Sequence, residues 1–213
     1  EIAMSDWSSD VCSSDLLHYI LKFGLVRTNI KNKTPRNEQD KVRAMSKEEC
    51  RRFEKKLAFH TAPSLLGIKC ASLFTLSRSE FDIGGNARRF NRRAAARGLK
   101  IKVLREECSC AGRSLILVYS PKLLAARLSA PENRELLREY GYTDDMPLDE
   151  RLERLSERTK CDDFPHEIGI FLGYPAEDVR GFVENGGCNY KLCGCWKVYG
   201  SVESARRKFA AYD

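Results

Sequence analysis

The sequence predicts an α+β fold built on a four-stranded, mostly antiparallel sheet with the split β-α-β order of ferredoxin-like folds. Three observations lead to this prediction. Four short segments alternate in polarity or are rich in β-branched and aromatic residues, which is typical of strands. Helical segments with apolar residues at i, i+3 and i+4 lie between them. The order along the chain is strand, helix, strand, strand, helices, strand, helix, so we expect a helical insertion before the fourth strand and a C-terminal helix.

The first predicted helix begins at a capping box, in which the Ser46 side chain caps the helix and Glu49 reaches back to it. Phe53 and Leu57 line its buried face, and the segment HTAP at residues 60–63 ends it. The first three strands and the second helix follow. The strands are predicted at residues 69–76, 100–106 and 113–120, and the second helix at residues 86–97. The third strand is apolar on both faces, so we expect it at the centre of the sheet.

Residues 164–199 organise the rest of the chain and indicate two short helices followed by a strand at residues 190–199. Gly173 ends the first helix and Pro175 opens the second. Trp196 marks the strand face that we expect in the core, because truncation of a buried Trp typically costs about 3–5 kcal/mol. The helix pair resembles a helix-turn-helix, but the exposed residues of its second helix carry a net charge of minus two, which disfavours DNA phosphates. Those residues are Glu177, Asp178, Arg180 and Glu184.

A set of short motifs carries a resemblance to a known family. The motifs are HTAP at 60–63, FPHEIG at 164–169, FLGYP at 171–175, EDVRGF at 177–182, NY at 189–190, LCG at 192–194 and WKVYG at 196–200. On these motifs, residues from about 45 to 213 resemble the domain of unknown function 3793, a family found mainly in anaerobic Gram-positive bacteria. The resemblance implies a cytoplasmic, single-domain bacterial protein, and it implies no particular activity.

We interpret residues 1–44 as a disordered, non-native extension and residues 45–213 as one globular α+β domain. The Ser- and Asp-rich run at residues 5–16 resembles a translated sequencing adapter. Residues 16–26 are apolar but shorter than the roughly 20 residues that span a bilayer, and they lack the features of a signal peptide. Residues 29–43 are polar and charged, as is typical of disorder. We therefore expect a cytoplasmic protein with no membrane partner.

The charge of the chain is mildly basic, with a net +7 overall and 30 basic against 24 acidic residues in the range 45–213. Such an excess alone does not predict nucleic-acid binding. However, the helix at residues 86–97 carries five arginines on adjoining faces. They could form a solvated surface or a face that contacts phosphates or RNA, although no aromatic residues are interleaved for base stacking. These arginines are Arg88, Arg89, Arg92, Arg93 and Arg97.

Nine cysteines would suggest disulfides in a secreted chain, but in a cytosolic protein we expect reduced thiols. Two C-x-C pairs lie in the predicted hairpin loop and in the last strand. If these two segments meet, four thiolates could hold zinc or iron. The alternative is that the thiols are buried small residues and surface groups without a ligand. The candidate metal ligands are Cys108, Cys110, Cys193 and Cys195.

His60 and His166 are the two histidines of residues 45–213. His166 and Glu167 lie at a predicted helix start and could form an acid–base pair, which His60 could join if the first helix packs nearby. The alternative is that each His only caps a helix or forms a hydrogen bond. Residues expected to contribute ligand contacts follow in the same stretch. They are Arg180, Asn189, Tyr190, Trp196, Lys197 and Tyr199.

Three functional hypotheses follow from the sequence. The first is a small binding or regulatory domain connected with metal or redox homeostasis. The second is an enzyme that uses His166, Glu167 and His60. The third is a nucleic-acid-binding protein that uses the face of Arg88 to Arg97.

Overall fold

The computed structural model describes residues 46–108, 112–160 and 164–212, with the backbone only at residues 107 and 108. The predicted N-terminal extension, residues 1–44, lies outside the described residues. The described chain forms three layers, in which one sheet lies between two groups of helices. This arrangement confirms the α+β class. In the described residues, no helix combines the length and the apolar character that a membrane crossing requires.

The central sheet has three strands, β1 (Ala71–Ser77), β2 (Lys100–Cys108) and β3 (Arg113–Tyr119). β3 lies in the middle and is antiparallel to both neighbours, so β1 and β2 run parallel to each other on either side of it. The prediction of a central RSLILVY strand is therefore confirmed. Alternate residues of the strands face opposite helical layers, which gives two separate cores.

The prediction of a fourth strand in this sheet is wrong. Residues 190–199 instead form a separate hairpin of β4 (Leu192–Cys193) and β5 (Lys197–Val198). The chain reverses at Gly194, whose N–H donates to the Trp196 carbonyl at 3.1 Å. A Cβ at this position would clash with the Phe209 ring, so the packing of Phe209 against this turn depends on glycine. The alternation that predicted one long strand came from two short arms of a turn.

Two helices cover the first face of the sheet, α1 (Lys47–Leu65) and α2 (Ile83–Ala94), and a 3₁₀ turn (Ala95–Arg97) extends α2. Ser46 caps α1 by accepting from the Glu49 N–H at 3.0 Å, as predicted. The Glu49 side chain does not complete the predicted capping box, because it accepts from the Asp82 N–H at the start of α2 at 2.7 Å. α1 bends at Thr61, which has non-helical backbone angles, two residues before Pro63. The core under these helices consists of Phe53, Leu57, Phe74, Leu76, Phe81, Ile83, Ala87, Ile101, Ile116 and Val118.

Five helices cover the second face. They are α3 (Pro121–Leu128), α4 (Pro131–Glu139), α5 (Leu148–Arg158), α6 (Ile168–Phe171) and α7 (Ala176–Glu184). Their apolar faces pack on the alternate residues of the strands and form the larger core. The C-terminal helix α8 (Val202–Tyr212) packs on the β4–β5 hairpin in a third, smaller cluster with Trp196 and Val198.

Candidate functional site

The hairpin is fastened to α7 by one buried carboxylate. Asp178 is 3% exposed, and its oxygens accept from the Trp196 indole N–H at 2.7 Å and from the backbone N–H groups of Tyr199 and Gly200 at 2.8 Å each. The sequence predicted Asp178 on an exposed helix face, and this expectation is wrong. The carboxylate is buried because three donors compensate for the loss of water. Trp196 is therefore a structural residue of the hairpin.

An aromatic cluster surrounds Trp196 and encloses a lysine. Tyr174 stacks on Trp196 with ring centroids 4.9 Å apart, and Phe209 meets it edge-on at 4.6 Å. The Lys69 ammonium lies 5.5 Å from the centroid of Tyr174 and 5.4 Å from that of Tyr212. Lys69 directly precedes Cys70 and β1, so the hairpin, α8 and the start of the sheet meet at this point. Sequence reasoning placed Lys69 in a strand and missed the enclosure.

Glu167 is held by structural partners. Its side chain is 0% exposed, forms an ion pair with Arg158 and accepts from the Tyr142 hydroxyl at 3.3 Å. Burial, with the Glu167 carboxylate as a further cause, raises the pKa of Tyr142. Arg158 in turn lies over the Tyr140 ring at 5.3 Å. The neighbouring His166 ring lies 5.5 Å from the Phe182 ring.

His60 lies on the other side of the sheet from Glu167. Its ring stacks on Phe74 at 5.7 Å, in the core beneath α1 and α2, whereas Tyr142 and the partners of Glu167 belong to the opposite core. Burial lowers the pKa of His60, and the charges of Lys56 and Arg113 add to this effect. The structure therefore does not bring His60 together with His166 and Glu167.

Some of the predicted ligand contacts come together on the surface beside the hairpin. The Lys197 ammonium lies 5.3 Å from the Tyr190 ring and 5.8 Å from the Phe182 ring, which also touches His166. Tyr199 packs with its Cβ against Gly181, at a point where any larger residue would clash. Asn189 has a positive φ of 58° and turns the chain before the hairpin.

Arg180, another predicted ligand contact, is directed towards α4, where its guanidinium contacts Glu139 at 3.4 Å. Two clefts, of about 330 and 450 Å³, lie at the start of α2 and at the edge of β2. Neither cleft is lined by His60, His166 or Glu167.

The two predicted cysteine pairs approach different ends of β1. The backbone of Cys108 pairs with Arg113, which pairs with Ser77 at the end of β1. Cys195 packs in the cluster of Trp196, which lies at the start of β1. The two ends of β1 are six residues apart, which corresponds to about 20 Å along a strand. The side chain of Cys108 and all of Cys110 lie outside the described residues. Among the described side chains no group of three His, Cys, Asp or Glu residues is placed to hold a metal ion.

Positive charge is concentrated on the outer side of α1 and α2. These two helices and the 3₁₀ turn carry ten Lys and Arg residues against three Glu residues, of which Glu49 is buried. By contrast, α3, α4 and α5 carry seven basic and seven acidic residues. We call the outer surface of α1, α2 and the 3₁₀ turn the basic face. It consists of Lys47, Arg51, Arg52, Lys55, Lys56, Arg88, Arg89, Arg92, Arg93 and Arg97.

Two glutamates align the helices of the basic face. Glu49 accepts from the Asp82 N–H at 2.7 Å and from the Asn86 side chain at 3.2 Å, both at the start of α2. One turn further along α1, Glu54 forms ion pairs with Arg89 at 3.1 Å and Arg93 at 2.9 Å. α1 and α2 therefore run side by side in the same direction, and nine of the ten basic residues are exposed.

The sequence analysis found the arginines of α2 but missed the contribution of α1. The signal was present in the segment KEECRRFEKK at residues 47–56, in which basic residues recur on the side away from Phe53. It was missed because α1 and α2 are far apart in sequence and only their packing on one face of the sheet joins their charges. Phe59, 62% exposed, follows Lys55 and Lys56 by one helical turn and adds an aromatic ring to this surface.

The comparisons with known proteins identify only the family of the chain. No curated protein and no solved structure matches the chain. A family model described as a protein of unknown function, DUF3793, matches residues 57–213, which is most of the chain and includes the last turns of α1, the sheet, the hairpin and α8. The resemblance inferred from the sequence motifs is thereby confirmed, and the chain belongs to the DUF3793 family.

Proposed function

We propose that the chain is a small binding protein whose ligand is nucleic acid, held through its phosphates by the basic face. The observation that carries the proposal is the segregation of charge between the two helical layers. Ten basic residues lie on α1, α2 and the 3₁₀ turn, whereas the helices α3 to α5 are balanced. Lys and Arg that contact phosphates release condensed counterions, and this release supplies most of the sequence-independent affinity.

The dimensions of the basic face fit a nucleic-acid backbone. α2 has 12 residues and is therefore about 18 Å long. One strand of DNA presents a phosphate about every 3.4 Å, so this length spans about five phosphates. Arg88 and Arg92 project one turn apart along α2, and Arg97 follows Arg93 by one turn at the end of the 3₁₀ turn.

Bases cannot stack on the sheet, because helices cover both of its faces. The exposed ring of Phe59 offers another stacking surface beside Lys55 and Lys56. Basic residues combined with an exposed aromatic ring are typical of single-strand binding. We therefore expect single-stranded RNA or DNA to bind more tightly than a duplex.

The other two hypotheses have less support. An acid–base site would require His60 close to His166 and Glu167, but His60 lies across the sheet and Glu167 is engaged by Arg158. A four-thiolate site would require Cys108 near Cys195, but the backbone of Cys108 lies at the opposite end of β1. Phosphate binding by the basic face does not require residues that lie far apart in the structure to come together.

The test is fluorescence anisotropy of a labelled 20-nucleotide single strand, titrated with the full chain at several salt concentrations. If about four phosphates are contacted, the logarithm of the association constant should fall with the logarithm of salt concentration with a slope of about −3. The variant Arg88→Glu with Arg92→Glu should weaken binding by at least about tenfold, because two contacts become repulsive.

The matched control is Arg206→Glu with Arg207→Glu, which changes the net charge equally but on exposed positions of α8. The control should bind nearly as well as the unchanged chain. Equal losses in both variants would mean that affinity follows net charge and not the basic face. No salt-dependent binding of either RNA or DNA would refute the proposal.

A further inference from the structure

The larger of the two clefts has the size of a small-molecule site. Its volume is about 450 Å³, and such sites typically measure about 300–1,000 Å³. It lies between the 3₁₀ turn after α2, the start of β2, the end of β3 and the first two turns of α5. None of the ten described residues of the basic face lines it, so the cleft is a separate place on the molecule.

Tyr119, the last residue of β3, brings an unpartnered hydroxyl to this cleft. The residue is 4% exposed and packs in the larger core, and it also lines the cleft. No described residue forms a hydrogen bond with its hydroxyl. Unlike the unpartnered hydroxyl of Tyr199, which is sealed from solvent, the hydroxyl of Tyr119 keeps an opening to the cleft. A ligand with a hydrogen-bond acceptor would satisfy this donor.

The phenol of Tyr119 is protonated near neutral pH. Burial, together with the charge of Asp149, raises its pKa to about 12. It can therefore donate to a ligand that enters the cleft.

Two charges of opposite sign lie beside this hydroxyl. Lys100 is the cross-strand neighbour of Tyr119, so the two side chains share one face of the sheet, with Cβ atoms about 4.5–5.5 Å apart. Asp149, at the start of α5, is near enough for its charge to act on the phenol. Both residues are exposed and line the cleft. Neither forms an ion pair with any other residue that the structure describes.

The other two charges of the cleft neutralise each other. Lys102 of β2 and Glu153 of α5 form an ion pair that joins two sides of the cleft. The cleft is thus lined by two lysines and two carboxylates. A phosphate group would meet the carboxylates, and a polyamine would meet the lysines. Electrostatic complementarity therefore favours a ligand that carries one positive and one negative charge.

The free edge of β2 beside the cleft is closed to a peptide strand. The side chain of Asn91 accepts from the Ile101 N–H at 2.6 Å and donates to the Ile101 carbonyl at 2.9 Å. Further along β2, the Leu104 carbonyl accepts from the hydroxyls of Ser156 and Thr159. A peptide that added to the sheet would need these backbone groups. The cleft therefore fits a small molecule and not an added strand.

We propose that this cleft binds a free α-amino acid with an apolar side chain. The carboxylate of the ligand pairs with Lys100 and accepts from the Tyr119 hydroxyl, and its ammonium group pairs with Asp149. Ala95 and Pro121 line the same cleft and contact the apolar side chain of the ligand. This binding goes beyond the proposed nucleic-acid function, because it uses a different set of residues.

The experiment is isothermal titration calorimetry of the full chain with L-leucine, L-methionine and L-phenylalanine, each in a separate titration. At least one of them should bind. Its amide, which lacks the negative charge, and its deaminated acid, which lacks the positive charge, should each bind at least about tenfold more weakly, because each loses a charged hydrogen bond. No binding of the three amino acids at millimolar concentration, or equal binding of both analogues, would overturn the proposal.

Variants of the cleft identify the contacts. Tyr119→Phe removes only the hydroxyl and should weaken amino-acid binding about 2–10-fold, as expected for one neutral hydrogen bond. Its melting temperature should stay unchanged, because the hydroxyl has no described partner. Lys100→Gln and Asp149→Asn should each weaken binding at least about tenfold. The matched controls are Lys122→Gln and Glu150→Gln, which change exposed residues that do not line the cleft and should bind like the unchanged chain.

Equal losses in the cleft variants and in their controls would also overturn the proposal, because binding would then follow net charge and not the cleft. The result is independent of the basic face. A chain that binds the amino acid but neither RNA nor DNA would support this site and refute the proposed function, and the opposite pair of results would do the reverse.

Discussion

The two helical layers of the molecule use their charged residues in different ways. On the side of α3 to α7, key charges are buried and satisfied, since Arg151 is 7% exposed and donates to the carbonyls of Thr143 and Asp144 at 3.0 and 3.1 Å. On the basic face, nine of ten cations are exposed and Glu54 is shared by two of them. Buried charges of the first kind determine stability, whereas exposed charges contribute little to it and remain available to a ligand.

The largest effect is expected from the buried carboxylate of the second layer. Asp178→Ala removes the acceptor of three hydrogen bonds and leaves the Trp196 indole N–H and two backbone donors without it. We expect the free energy of unfolding to fall by about 3–5 kcal/mol. Urea denaturation followed by Trp fluorescence measures this loss.

The control for this variant is Glu184→Ala, an exposed residue on the same helix, which should change stability by less than about 0.5 kcal/mol. Similar small losses in both variants would show that Asp178 does not fasten the hairpin.

The next effect concerns ligand binding and leaves stability unchanged. Phe59→Ala should weaken single-strand binding by about 1–3 kcal/mol, the usual contribution of one stacked base, and should leave duplex binding almost unaltered. The ring is 62% exposed, so little core packing is lost. Anisotropy titrations with a single strand and with its duplex measure the difference. Equal weakening for both ligands would contradict a stacking role.

A smaller effect in the opposite direction is expected at the carboxylate of the basic face. Glu54→Gln releases Arg89 and Arg93 from their ion pairs, at 3.1 and 2.9 Å, and leaves two more guanidinium groups for phosphates. Affinity for the single strand should rise a few-fold at low salt, and the salt dependence should become steeper. Because exposed pairs contribute about 0–1 kcal/mol, the melting temperature should hardly change. Unchanged or weaker binding would place the ligand elsewhere.

The smallest effect is a pH dependence of stability that arises from His60, in the first layer. Because burial lowers the pKa of His60, the unfolded chain binds this proton more readily than the folded chain. The resulting stability is present above the ordinary His pKa of about 6.5 and is lost as the pH falls below it. In His60→Phe this loss should be reduced between pH 7 and 5. Denaturation curves at several pH values compare the two chains, and parallel curves would contradict the prediction.

The sequence was informative where local patterns determine local structure. The capping box at Ser46 and the apolar RSLILVY strand predicted α1 and the central position of β3, and both predictions are confirmed. Alternation was misleading at residues 190–199, because two short arms of a hairpin have the same period as one strand. The Gly194 turn, packed against Phe209, separates them.

The candidate sites were only partly predictable, because the spacing of residues shows which of them share one helix but not which distant segments pack together. The arginines of α2 follow from helical spacing, whereas the Lys and Arg residues of α1 join them only when both helices pack on one face of the sheet. Nothing in the spacing of Lys69, Tyr174 and Tyr212 indicates that they meet, since more than 30 residues separate each from the next.

The sequence by itself determined the α+β class, the central strand, the helix ends marked by capping residues and the family, because these depend on residues close together or on motif identity. Only the tertiary structure decided that Asp178 is buried, that His60 is divided from Glu167 by the sheet, and that Lys69 is enclosed by aromatic rings. Burial and pKa depend on which distant segments exclude water from a group, and this is a property of packing that no single stretch of sequence contains.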